Sequence, residues 1–174
     1  PAPVTEPPAV TQAAALDLSA DDRLIPWAEA IRTPAPTRLP GEDAPATDWA
    51  GMPYTSGSTG VPKGCLHSHR SVMHTAVLQV EWYGITEDSV VTAVQPLFHV
   101  AGMQGSMNAA IHAGATLMIM TRWDAEAAIA LFTHYGVTFW NAPPTMAADM
   151  MSRGAAVTPA LAQVTVLTGG GAAM

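Results

Sequence analysis

From Asp48 onward, short apolar runs alternate with stretches of helical periodicity, and this alternation restricts the fold more than any other feature of the sequence. Ser89 to Val94, Ala115 to Met120, Val137 to Trp140 and Val164 to Thr168 read as strands. Between them lie helical patterns. Ser68 or His69 caps the first, whose apolar stripe is Val72, Ala76, Val77, Val80 and Tyr83, with Gly84 closing it. A second runs from about Met103 to Ala113 and is closed by Gly114. A third opens at Thr121 or Asp124, carries Ala128, Leu131, Phe132 and Tyr135 on one face, and stops at Gly136. Pro144 suits the first turn of a fourth. Strands this apolar must be buried on both faces, so the expected fold is α/β, a mostly parallel sheet with helices on both faces.

Residues 1–47 do not share this pattern. Nine of the fifteen prolines lie before Gly51, and one short helical stretch, Leu24 to Ile31, interrupts them. The region reads as the tail of a preceding subdomain plus a linker, followed by a partial domain over 48–174. The chain does not begin with methionine and is expected to be a piece of a longer protein.

Charge narrows the function classes. The net charge is -7, and residues 1–50 contribute five of those negative charges, with eight acids against three bases. No basic stripe marks a nucleic-acid surface. No apolar run approaches the length of a membrane span. The single cysteine, Cys65, cannot form an internal disulfide and fits a reducing cytoplasm. It reads as a small buried residue rather than a catalytic thiol. His67, His69 and His74 have no acids or cysteines at ligand spacing, so no metal site is expected from them.

In a parallel sheet, ligands bind beyond the carboxyl ends of the strands. Three loops leave those ends: Gln95 to Val100, Asn141 to Thr145 and Gly169 to Ala172. Ahead of them stands Tyr54-Thr55-Ser56-Gly57-Ser58-Thr59-Gly60-Val61-Pro62-Lys63-Gly64. Its glycines allow a backbone nest of N–H groups. Thr55, Ser56, Ser58 and Thr59 add hydroxyls, and Lys63, the only lysine of the chain, adds a positive charge. Such a set suits a polyphosphate; a plain glycine-serine turn is the alternative. It is not a Walker loop, because Gly64 follows Lys63 and an extended stretch, Cys65 to His67, precedes any helix. Pro53 lacks a ladder donor, so a strand here either starts at Tyr54 or runs beside an unpaired edge.

This segment resembles the phosphate loop of the adenylate-forming (AMP-binding) superfamily. Pro96-Leu97-Phe98-His99-Val100-Ala101-Gly102-Met103 is similar to that superfamily's Phe-His motif, and Gly169-Gly170-Gly171-Ala172-Ala173-Met174 to its adenine-side turn. Phe98-His99, with Met103 to Asn108 and Arg122-Trp123-Asp124, looks most like the fatty-acyl-CoA synthetases.

The resemblance implies ATP-dependent activation of a carboxylic acid as an acyl-adenylate, then transfer to CoA, with Mg²⁺ accompanying ATP. A carrier protein as acceptor, or an inactive nucleotide-binding fragment, are the alternatives. It implies that Thr55, Ser56, Gly57, Ser58, Thr59, Gly60 and Lys63 hold phosphates and that Gly170, Gly171 and Ala172 line the adenylate. It implies that His99, the catalytic position, contacts the acid's carboxylate or gates the acyl pocket, and that Phe98 belongs to that pocket. Met103 and Met107, four apart on one helix, face either core or the acyl tunnel. Small-molecule substrates are the expected partners; peripheral membrane contact and oligomerisation of the parent stay open. The superfamily's acidic magnesium ligand, ribose-binding aspartate and C-terminal lysine have no counterpart in this chain, so the fragment alone is expected to be inactive.

Overall fold

The computed structural model describes Arg32, Pro34, residues 44–55 and residues 60–170. The helical stretch expected at Leu24 to Ile31 lies outside the described residues. The chain divides into two units, 1–44 and 45–174, and the described elements belong to the second.

At the heart of that unit is a four-stranded parallel sheet. Its strands are β5 (Val90–Ala93), β6 (Thr116–Ile119), β7 (Phe139–Asn141) and β8 (Val166–Thr168), in the order β6-β5-β7-β8. Alternate residues of a strand face opposite sides, and both sides are buried. Val91 and Phe139, paired in register, face a cluster with Val80 and Tyr83 of α1 (His69–Tyr83) and with Ala109, Ala110 and Ala113 of a second helical segment. Trp140 faces the other way, among Ala128 and Phe132 of α4 (Ala125–Tyr135), Met150 of α5 (Pro144–Met151) and Ala160 of α6 (Thr158–Leu161). Helices therefore cover both faces, as the apolar strands require.

Trp140 is 1% exposed, packs edge-on to Phe132 at 5.1 Å and stacks on Trp123 at 5.8 Å. Such aromatic pairs add about 0.5–1.5 kcal/mol beyond area burial. Beside it, Thr92 pairs with Trp140 across the sheet, yet Thr92 Oγ1 and Trp140 Nε1 both lack a hydrogen-bond partner. Each unpaired buried group costs about 1–3 kcal/mol.

The helix boundaries follow local chemistry. Ser68 Oγ accepts from the Ser71 N–H to start α1, and Asp124 Oδ1 accepts from the Ala127 N–H to start α4. Gly84 and Gly136 end them in the left-handed conformation.

The second helical segment departs from the expected Met103 start. It begins at α2 (Val100–Gly102), widens into a π-helix over Met103–Asn108, and returns to α-helix in α3 (Ala109–Ala113). The reason is His99. Its Nδ1 accepts from the Ala101 N–H at 3.1 Å and caps the segment three residues early. Histidine is not among the usual capping residues.

Ahead of the sheet stand two small antiparallel pairs. β1 (Trp49–Gly51) pairs with β4 (His67–Ser68), and β2 (Tyr54–Thr55) pairs with β3 (Lys63–Gly64). β2 starts at Tyr54, and the Pro53 carbonyl accepts from the Cys65 N–H. Cys65 is exposed, not buried.

Candidate active site

The strand order creates the site. After β5 the chain crosses to β6 through α2, the π-helix and α3; after β6 it returns through α4 to β7, on the other side of β5. Successive connections that leave in opposite directions open a crevice at the carboxyl ends of the strands. A cleft of about 370 Å³ lies there. Asn141 ends β7 in it, Thr168 and Gly169 leave β8 into it, and Val100, Ala101, Gln104 and Gly105 line it from the segment after β5. Thr75, Gln79 and Tyr83 of α1 close the remaining side. A depression of about 560 Å³ adjoins it along α1, but α1 alone lines that one, so converging chemistry belongs to the smaller cleft.

Close approaches hold the cleft walls together. A Cβ on Gly169 would overlap the Ala142 carbonyl oxygen, and a Cβ on Gly105 would overlap Asn141 Nδ2. Both positions need a bare backbone. Tyr83 O–H and Thr168 Oγ1 lie 3.3 Å apart, and Tyr83 packs edge-on to Phe139 at 5.4 Å, so α1 is tied to the end of β8. Asn108 Nδ2 donates to Gln104 Oε1 at 2.9 Å, which fixes a side chain only 6% exposed.

His99 sits on the exposed loop at the rim. Because Nδ1 accepts from Ala101, the neutral ring carries its proton on Nε2, the nitrogen free to donate. Phe98 beside it is 88% exposed. Met103 and Met107 are half-buried in the π-helix, and neither lines the cleft. Gln104 and Gly105, one position along, do. Sequence patterning singled out the methionines for their spacing; it missed Gln104, Gln79 and Tyr83. Helical spacing from Val100 and Ala101 to Gln104 and Gly105 carried that signal.

The glycine-rich loop closes between β2 and β3. Tyr54 pairs with Gly64 and Thr55 with Lys63, and Thr55 Oγ1 donates to the Lys63 carbonyl at 3.4 Å. Lys63 and Thr55 are exposed, and Gly60 takes a φ of 124° in open space. Ser56, Gly57, Ser58 and Thr59 lie outside the described residues, as do Gly171 and Ala172 at the other turn. Gly170 is exposed with open space around it. An exposed ammonium and hydroxyl at a hairpin mouth fit a polyphosphate. Among the described residues no three His, Cys, Asp or Glu side chains group to hold a metal ion. Nor, among them, is any helix long and apolar enough to cross a membrane.

Comparison with known proteins places this geometry. The model of the family described as AMP-binding enzyme matches residues 3–174. A 4-coumarate–CoA ligase 3 of Oryza sativa subsp. japonica is 28% identical over 171 residues, 96% of this chain and 30% of that protein. A long-chain-fatty-acid–CoA ligase of Thermus thermophilus is 34% identical over 134 residues, 75% of this chain and 24% of that protein. Among solved structures, a malonyl-CoA ligase in ternary product complex with methylmalonyl-CoA and AMP superposes with a TM-score of 0.70 at 29% identity, covering 80% of this chain and 31% of that one. The chain thus spans between a quarter and a third of the length of these relatives.

Proposed function

The chain belongs to the AMP-binding enzyme family, and from that premise we propose that the protein containing it activates a carboxylic acid with ATP and transfers it to CoA. The acid's carboxylate attacks the α-phosphorus of ATP, pyrophosphate leaves, and the CoA thiolate then displaces AMP from the acyl carbon. Lys63, Thr55 and the loop between them gather the β- and γ-phosphates, where positive charge and donors stabilise the departing pyrophosphate. His99 donates from Nε2 to the acid's carboxylate and orients it. Gly170, with Gly171 and Ala172, lets the adenylate lie against bare backbone. Mg²⁺ would accompany ATP, and no step is assigned to it here.

One observation carries the choice of acid: none of the ten residues lining the cleft is charged. A charged acyl group would lose its hydration there without gaining a counter-ion. The substrate is therefore an acid with an apolar body, a medium- or long-chain fatty acid, with the exposed Phe98 at the rim of its path and Met103 and Met107 off the cleft wall. An aryl acid is the second reading, supported by the amides of Gln79 and Gln104, which could meet a ring substituent. The single cysteine supports a cytoplasmic setting. Residues 1–174 alone are proposed to be inactive, since the relatives are three to four times as long.

The test is to supply the full-length protein with ATP, CoA and a panel of saturated, aryl, amino and dicarboxylic acids, and to identify the thioester by mass spectrometry. Saturated acids should lead. A panel led by amino acids or dicarboxylates would contradict the substrate assignment; products on a carrier protein but never on CoA would contradict the acceptor.

A further inference from the structure

We propose that Asn141 is a positioning residue for His99, acting through the backbone of Ala101. The proposal rests on the role given to His99 above. Asn141 is the last residue of β7 and is fixed by the sheet: it pairs with Thr168, and the Ala142 N–H donates to the Thr168 carbonyl at 2.7 Å. From that anchor its side-chain Nδ2 donates to the Ala101 carbonyl at 3.3 Å. The other end of the same residue, the Ala101 N–H, donates to His99 Nδ1 at 3.1 Å. A second tie runs back, with Gln95 Nε2 donating to the Asn141 carbonyl at 3.2 Å.

The loop after β5 is thus stitched to β7 on both sides of His99. The imidazole inherits its orientation from a side chain on a different strand. Gly105 shows that the space is reserved for this amide, because a Cβ there would overlap Nδ2. Ala101 and Gln104 lie at the start of a segment that passes into a π-helix, a rare geometry found mostly as a local widening of an α-helix and often at functional sites. An outside tether is what keeps such a turn in one place.

Asn141 also lines the cleft, so the test must separate positioning of His99 from contact with the acid. In the full-length protein, Asn141→Ala should lower kcat for adenylate formation about tenfold, the scale of one stranded part-buried carbonyl, and leave KM for ATP unchanged. In a His99→Ala background the same substitution should have no further effect. Gly105→Ala should reproduce the loss in the wild type and do little once Asn141 is alanine, because the space is then vacant. Should Asn141→Ala fail to fold, Asn141→Asp keeps the shape, and its carboxylate cannot donate to Ala101; it runs the same cycle. A loss undiminished without His99, or one seen only as a raised KM for the acid, overturns the proposal. Full kcat in His99→Ala overturns the role of His99 and this inference with it, whereas an impaired His99→Ala with additive Asn141→Ala overturns this inference alone.

Discussion

The parallel sheet and the glycine-rich hairpin lie in one unit and are built on opposite terms. In the sheet, Trp140, Phe139, Val91 and Thr92 of the two central strands are all but inaccessible and packed between helical clusters on both faces, while the edge strands keep exposed positions at Ile119 and Leu167. In the hairpin, Thr55, Lys63 and Gly64 are exposed, and Trp49 nearby keeps 76% of its surface. The first region is held by packing and tolerates no change of volume. The second is held by four residues of ladder and presents Thr55 and Lys63 at an exposed surface, where the side-chain contact between them is the bond from Thr55 Oγ1 to the Lys63 carbonyl. Damage to the sheet should therefore appear as lost stability, and damage to the hairpin as lost rate.

The sharpest test of that division is Trp140→Ala, which removes the centre of the larger cluster. We expect about 3–5 kcal/mol of lost stability in denaturant unfolding of the full-length protein. A loss under 1 kcal/mol would mean that the sheet is not the stabilising element. Lys63→Ala should do the reverse. Its melting temperature should hold, while acid-dependent pyrophosphate exchange slows by the equivalent of about 1.5–3 kcal/mol, the scale of a hydrogen bond to a charged group. A lowered melting temperature with unchanged exchange would invert the comparison.

Smaller effects sharpen it. Thr92→Val replaces a buried hydroxyl that has no partner and should stabilise the protein by about 1 kcal/mol; destabilisation of that size would reveal a partner for Thr92. The smallest concerns Asp149, whose carboxyl the Trp123 N–H holds below its usual range, with Arg153 assisting. A lowered folded pKa gives stability that is present above the unfolded value and lost as pH falls through the folded one. Asp149→Asn should flatten that acid limb of the stability curve slightly. An unchanged limb would show that the contact contributes nothing.

The difference between the regions also explains what was legible in the sequence. Apolar periodicity placed all four sheet strands and the boundaries of α1 and α4, because burial writes a pattern of period 2 or 3.6 into the residues that make it. It could not place the early helix start at Val100, which depends on one imidazole nitrogen reaching a backbone N–H two residues on. Nor could it find Gln79 or Tyr83 in the cleft, since no local spacing links α1 to the end of β8; Gln104 was within reach of helical spacing from Val100 and Ala101. Cys65 was expected in a core and lies exposed on the short connection between β3 and β4, because a cysteine's apolarity says nothing about whether anything packs over its position. The glycine loop was singled out by chemistry instead, through Lys63 and the hydroxyls of Thr55, Ser56, Ser58 and Thr59, and of these the described residues are Thr55 and Lys63.

Acid-dependent exchange of labelled pyrophosphate into ATP by the full-length protein, wild type beside Lys63→Ala, tests the central claim most directly. The account predicts exchange that requires an apolar carboxylic acid and falls at least tenfold in the variant, in line with a charged hydrogen bond. Exchange that proceeds without acid, or equally well without Lys63, would contradict it.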